Sequence, residues 1–554
     1  MALKARGTAT RARRSTVPST AKPRAKASSA PVPKRKGPRP TASPSRSPSS
    51  GSSGSASPLG GGTPWTSAAG EVGIRVRMYR VGFGDFFLIT CLDDKGTPRH
   101  IVIDCGVFKG TSQTGDIQSI EAAVADMAQT TNGQVALLIM THRHADHIAG
   151  FARCADTFKT LTIGGVWMPI WESEYEPTAV KFQAELTRTA LGLRQHLTTL
   201  GASASEAQVT ARKYMENATG EFDVASAAAM GSNAVALDLL KHGFTGVTPD
   251  YYKAGDTATL PQALVDAGLS CRILGPPPVT DIDLMKLMDL QKNVGQYLTN
   301  NGGEDTSLCH PFGTEWEVDP ATAPTDNPSE CFVPESFREW VQQPRKSWEA
   351  VTSNEASHAR RKMEGALRQL QPIAALTAAK QLNSFLNNQS LVVLFTFKGK
   401  KLLFVGDAQA GNWEHWLFET DTPDKQASGK IGTVAQQILT SLDFYKVGHH
   451  GSGNATPKAA ADAMGAQGHK FAAMCSTQAD VYGTENPDDP TKGTEVPRGP
   501  LLEQLASESA LVRSDQIAIT VDGKMIAAKV PAALPAPVPG SRFEQFALGV
   551  DCYL

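Results

Sequence analysis

Leu137-Leu-Ile-Met-Thr-His-Arg-His-Ala-Asp-His-Ile-Ala-Gly150 decides how this chain is read. The apolar run over residues 135–140 has the composition of a buried strand, and it stops at Thr141. At its end stand His142, His144, Asp146 and His147, and residues 148–158 then open a helix. Three imidazoles and a carboxylate within six residues are awkward for a core and unusual for a solvated loop. Imidazole nitrogen and carboxylate oxygen suit zinc and its neighbours, so a pair of divalent cations explains the cluster. A turn at the strand end aims His142 and His144 at one ion and Asp146 and His147 at the other.

Two later stretches supply what one loop does not. Lys401-Leu-Leu-Phe-Val-Gly-Asp407 reads as a strand ending in a carboxylate, and Asp443-Phe-Tyr-Lys-Val-Gly-His-His-Gly-Ser452 as a strand ending in a histidine pair. The His-x-His-x-Asp-His spacing resembles that of the metallo-β-lactamase superfamily. The Lys-Val-x-His-His-Gly-Ser wording, Val81-Gly-Phe-Gly-Asp85 and the Asn388-x-Ser-Leu-Val hairpin resemble the ComEC-like branch of DNA-uptake proteins and its choline-phosphate esterase relatives.

This resemblance implies an α/β fold, the αββα metallo-β-lactamase sandwich. It implies that His142 and His144 hold one ion, that Asp146, His147 and His450 hold the other, and that Asp407 bridges them. His449 would then face the substrate as a general acid or as a donor to the developing oxyanion, with Asp146 as its catalytic companion. Asp104 matches a position that supports the metal loop by hydrogen bonds without binding metal. Asp85 is read in the same way, and Ser452 as shaping the turn that presents the histidines. Many members carry a third histidine on the first ion; His196, His242, His310 and His358 all stand in unsuitable contexts for it. The implied cofactors are two divalent ions, zinc first and manganese as its rival. The implied function is hydrolysis by a dinuclear-metal-activated hydroxide, most naturally of phosphodiester bonds in a small molecule or a nucleic acid, a nuclease included. The fold also hosts carboxylic ester, lactone and amide hydrolases, and a non-catalytic, partner-binding scaffold is the reading from outside enzymology.

Bulk properties set the frame. The chain has 554 residues, 41% of them hydrophobic, which is ordinary for a globular protein. No apolar run approaches the roughly 18–20 residues of a membrane-spanning helix, so no membrane is expected and only the hydrolase-like part of the ComEC resemblance is present. The net charge of −1 hides a lopsided distribution: residues 1–70 carry 13 Lys or Arg and no acid, leaving 41 basic against 55 acidic residues in the rest. Residues 1–72, rich in Ala, Ser, Pro, Lys and Arg, bury too little to offset their ordering entropy and are read as a disordered basic tail. The tail is free to contact nucleic acid or other polyanions, whereas the acidic body lacks that electrostatic footprint. It contains no apolar stretch of a secretory signal. Eight cysteines without a CxxC pair point to reduced thiols and a cytoplasmic location, with Cys105 as a small buried hydrophobe.

Residues 73–554 are read as one hydrolase domain. Strands are expected over 74–81, 82–90, 99–104, 161–169, 270–277 (fed by a helix over 263–269), 388–397 and 401–407, with closing strands over 471–476 and 516–520 and an edge over 543–554. The interval 178–386 exceeds what the superfamily's spacing requires and is read as a helical insertion that sets substrate choice. Trp167, Trp171, Glu172 and Glu174 are candidate pocket-wall residues, the aromatics more readily core. Lys446 either contacts a phosphate or snorkels from the sheet.

Overall fold

The computed structural model describes residues 73–108, 119–199, 204–220, 232–285, 287, 375–418, 430–486 and 493–554. The chain divides into units 1–58 and 59–554. The basic tail, His310 and His358 lie outside the described residues.

The apolar runs form strands because both of their faces are covered. One mixed sheet of eight strands runs, edge to edge, Arg542–Phe546, Gly549–Tyr553, Ile74–Tyr79, Phe86–Leu92, Pro98–Cys105, Leu137–Ile139, Val166–Pro169 and Asp250–Tyr252. A second, of six strands, runs Ser509–Arg513, Phe471–Cys475, Phe444–Lys446, Lys400–Phe404, Val392–Phe397 and Leu269–Gly275. Alternate residues of the two sheets meet in a shared core: Ile74, Val76, Ile89, Ile101, Ile103 and Ile139 from one, Val393, Phe395, Phe404, Phe444 and Met474 from the other. The intervening residues face outward under helices. Leu88, Val102, Leu138 and Met140 pack with the helices Ile120–Thr130 and Ala145–Arg153. Leu403, Tyr445 and Ala473 pack with Ala410–Leu417, Lys458–Gly465 and Gly499–Glu508. A strand apolar on both faces is what burial between a second sheet and a helix layer demands. Read outward, the layers are helix, sheet, sheet, helix.

Three expectations change. The interval 178–386 holds a strand that was not expected, Asp250–Tyr252 at one edge of the first sheet, while the strand expected over 270–277 stands as Leu269–Gly275 at one edge of the second. The second sheet is closed by Ser509–Arg513, not by residues 516–520. Ile519–Val521 pairs only with Lys524–Ile526 in a two-stranded ribbon. The reason is the helix Gly499–Glu508, a crossover that returns the chain parallel to Phe471–Cys475. Trp167 and Trp171 are fully buried core residues, as preferred for the aromatics, whereas Glu172 pairs with Arg143 and lines no open wall. Glu174 instead lies at the surface with Lys241 and His242.

Among the described residues no helix is long and apolar enough to cross a membrane.

Candidate metal centre

Both sheets end their strands at one place. Pro98–Cys105 delivers Asp104 in a left-handed conformation, φ 54°. Its carboxylate takes the Thr141 amide at 2.7 Å, the Thr141 hydroxyl at 2.6 Å and the His147 Nδ1 proton at 2.7 Å. These bonds fix the start of the turn and one ring of the motif. The turn is pinned again where Asn217 Oδ1 accepts from the Asp146 amide at 3.1 Å and Asn233 donates to the Arg143 carbonyl at 2.9 Å. Gly106 lies against it so closely that a Cβ there would stand 2.1 Å from the His147 nitrogen. The turn containing Gly84 and Asp85 is tied in too, because the Asp85 amide donates to the Asp146 carbonyl at 2.8 Å.

The second sheet contributes the opposite wall. Lys400–Phe404 leads to Gly406 and Asp407, and the Asp407 amide donates to Ser390 Oγ at 3.0 Å. Phe444–Lys446 leads to His449 and His450, both with positive φ (44° and 53°), followed by Gly451 at 81°. Two consecutive non-glycine residues in this region store backbone strain that the surroundings must hold. The strained turn sends the two adjacent rings to different partners. His450 Nδ1 donates to the Ser476 carbonyl at 2.8 Å, and its ring packs 4.2 Å from that of Phe83, centroid to centroid. His449 Nδ1 lies 3.0 Å from Gln409 Nε2 and 3.3 Å from Asn454 Oδ1.

The structure gathers the sequence candidates as follows. Asp146, His147, Asp407 and His450 form one group whose donor atoms all lie within 4.8 Å of one another, and His142, His144 and Asp146 form a second. Asp407 Oδ2 is 3.1 Å from His147 Nε2, 3.6 Å from His450 Nε2 and 3.9 Å from His142 Nε2. His450 Nε2 is 3.2 Å from Asp146 Oδ2. His449 belongs to neither group: its Nε2 stands 3.8 Å from Asp407 Oδ2, and its side chain keeps 17% of its surface while those of His142, His147 and His450 keep none. Asp85 lies behind the ligands, 3.5 Å from His450 Nδ1. Ser452 closes the turn that presents the histidine pair: its amide donates to the His449 carbonyl at 2.8 Å and its hydroxyl to Asn454 Oδ1 at 2.9 Å. Neither His196 nor His242 belongs to these groups, and His242 sits on the surface against Asp238 and Glu174.

Lys446 is corrected on both counts. It is buried, donates to the Gly406 carbonyl at 3.0 Å, forms an ion pair with Asp85 and lies 3.7 Å from Asp407 Oδ1. Neither snorkelling nor phosphate contact is open to it, because the docking of the two sheets places a carboxylate in front of it. Ser390, Gln409, Asn217 and Asn233 were also beyond the sequence reading. Only Ser390 carried a signal, lying in the Asn388-x-Ser-Leu-Val stretch.

The electrostatics follow from burying four carboxylates with four imidazoles. Burial, with His147 and His144 adding repulsion, pushes His142 well below the ordinary imidazole value, and burial takes His144 down to about 4. Burial opposes protonation of His147 and His450 as well, but at both it is outweighed. Asp407, Asp104 and Asp85 hold His147 well above the ordinary value, and Asp407 with the Asp146 hydrogen bond raises His450. Against burial, Asp407 is held well below the carboxylate range by His147, His450 and His449. Asp146 falls to about 2, also against burial, through the His450 hydrogen bond and the charges of His147 and His450. Burial lowers His449.

One test of fit to a cation is whether buried polar atoms are left unsatisfied. His144 Nε2, Asp146 Oδ1, His147 Nε2 and both oxygens of Asp407 have no hydrogen-bond partner. Buried polar groups are ordinarily paired, and these belong to the two groups just described. Lone pairs of nitrogen and carboxylate oxygen facing inward fit a divalent metal, so this cluster can hold an ion.

No family model matches the chain, and no curated protein matches it.

Proposed function

We propose that this chain is a metal-dependent hydrolase of phosphate diesters on a metallo-β-lactamase sandwich, with single-stranded or duplex nucleic acid among its candidate substrates. The observation that carries the proposal is the convergence of unpartnered buried donor atoms, from strand ends of two different sheets, on one place. His142, His144 and Asp146 would hold one ion, His147 and His450 with Asp146 the other, and Asp407 would stand between them. When bound, two such ions lower the pKa of water toward neutrality and polarise a phosphoryl oxygen.

The chain's own side chains define the rest of the chemistry. Asp104 and the Ser476 carbonyl hold the Nδ1 protons of His147 and His450, so that once each ring gives up its second proton both Nε2 lone pairs would face Asp407. His449, the one partly accessible ring of the set, would offer a hydrogen bond to an oxygen on which charge develops. The three cations on the motif segments are engaged: Lys446 faces Asp85, Lys401 donates to Ser441 Oγ at 2.7 Å, and Arg143 holds Glu172 in a two-pronged pair at 2.6 Å for each contact. A phosphomonoester dianion is best met by free guanidinium or ammonium groups. A diester carries one charge and needs fewer of them.

The test is turnover by the purified full chain, stripped and reloaded with Zn²⁺ or Mn²⁺, on bis(p-nitrophenyl) phosphate, p-nitrophenyl phosphate and p-nitrophenyl acetate. The diester should be preferred, and His144→Ala and Asp146→Ala should reduce its turnover to background. Activity on the acetate alone would move the chain to the carboxylic ester class. Substoichiometric metal with no turnover would overturn the hydrolase reading altogether.

A further inference from the structure

His449 and His450 are adjacent, carry the same side chain and sit on one strained turn, yet only His450 joins the donor groups. The difference lies in what faces Nδ1. A neutral imidazole has one N–H, so an acceptor at Nδ1 leaves Nε2 with a lone pair, while a donor at Nδ1 puts the proton on Nε2. His147 Nδ1 meets a carboxylate oxygen at 2.7 Å and His450 Nδ1 a carbonyl at 2.8 Å, both pure acceptors. His449 Nδ1 meets the amide nitrogen of Gln409 at 3.0 Å. That amide is oriented by Ser384, whose hydroxyl donates to Gln409 Oε1 at 2.5 Å, and both residues are buried.

We propose that Gln409, set by Ser384, is a positioning residue that keeps His449 a hydrogen-bond donor and prevents it from becoming a metal ligand. The chain of bonds runs from the Ser384 hydroxyl to Gln409 Oε1, from Gln409 Nε2–H to His449 Nδ1, and from His449 Nε2–H into the site. Nε2 lies 3.8 Å from Asp407 Oδ2 and 3.3 Å from Asn387 Nδ2, an amide nitrogen that as placed would donate to it. Asn387 Oδ1 has no partner, and a half-turn of that amide makes it the resting acceptor of the Nε2 proton, to be displaced by a substrate oxygen. The competing acceptor at Nδ1, Asn454 Oδ1, is farther away at 3.3 Å and already receives the Ser452 hydroxyl. The proton stays on Nε2 throughout; the ring donates a hydrogen bond and transfers nothing. The catalytic part of this inference rests on the diester reading, but the tautomer does not.

The experiment uses the Zn²⁺-loaded full chain with ring-¹⁵N histidine and reads the His449 tautomer by long-range ¹H–¹⁵N correlation. The signal is identified by its loss in His449→Gln. The native chain should show Nε2–H at His449 and Nδ1–H at His450. Gln409→Glu replaces the donor by an acceptor and should switch His449 to Nδ1–H. On bis(p-nitrophenyl) phosphate it should lower kcat by roughly 10²-fold, with KM within about twofold and metal content unchanged. Nδ1–H at His449 in the native chain, or an unswitched tautomer in Gln409→Glu, overturns the proposal. A switched tautomer with an unaltered kcat overturns the catalytic part. Nε2–H at His449 in a chain that turns over no diester supports the positioning role and sinks the diester reading instead.

Discussion

Adding Zn²⁺ to the metal-free protein at pH 6.5 should expel more than one and up to about two protons per chain, because ligand nitrogens bind metal only as lone pairs. The protons come from identifiable rings. His142 and His144 are already neutral in the metal-free site, being held far below the ordinary imidazole value. Asp146 and Asp407 are already anionic. His147 and His450 are the two whose values are raised, by Asp407 and the carboxylates around it. While both remain protonated, each contributes about 1.4 kcal/mol per pH unit to the pH dependence of binding, or about 2.7 kcal/mol together, close to a hundredfold. Calorimetric titration in two buffers of different ionisation enthalpy gives the proton count directly. Asp104→Asn removes one of the charges holding the His147 proton and should lower the count.

The same rings fix the sign of stability against pH. Their folded values lie above the unfolded value of about 6.5, so the stability they add is present below that pH and is lost as pH rises through the folded values. The metal-free protein should therefore melt at lower temperature at pH 9 than at pH 6. The benefit of added metal should grow over the same window. A count below about one proton, or an affinity flat between pH 6 and 8, would refute the charge distribution described for the site.

Two substitutions test the scaffold. Lys446→Met leaves Asp85 buried without its ammonium partner and should cost about 3–5 kcal/mol in urea unfolding. Adding Asp85→Leu should recover most of that, and a loss below about 1 kcal/mol for the single variant would show that the pair is not buried as described. Gly106→Ala would place a Cβ 2.1 Å from the His147 nitrogen, against backbone on both sides. It should cost about 3 kcal/mol or more and lower metal occupancy, and a variant with native melting and metal content would contradict the close approach.

What the sequence made legible depended on locality. Residues 142–147 sit on one turn after one apolar run, and Asp407 and His450 each follow a run of the same kind, so strand ends could be read directly. Strands covered on both faces produce unbroken apolar runs, and the polar residue that breaks such a run stands out. Lys446 was misjudged because its partner, Asp85, is distant in sequence and meets it only when the two sheets dock. Asn217, Asn233 and Gln409 act through isolated side-chain amides on helices or loops, with no periodicity to mark them. Asp250–Tyr252 was missed because a three-residue strand has too few positions to show alternation.

The donor atoms are divided between the two sheets, with 142–147 on one and 407 and 450 on the other. His142, His144 and Asp146 come from the first sheet alone, but the group of Asp146, His147, Asp407 and His450 is complete only when both sheets are present. During folding, therefore, a cation held by that second group would arrive only after the halves have closed, and it would then act as a rivet across the seam. Metal uptake followed in time becomes a clock for that closure, and chelation should loosen the joint between the sheets before either sheet itself comes apart.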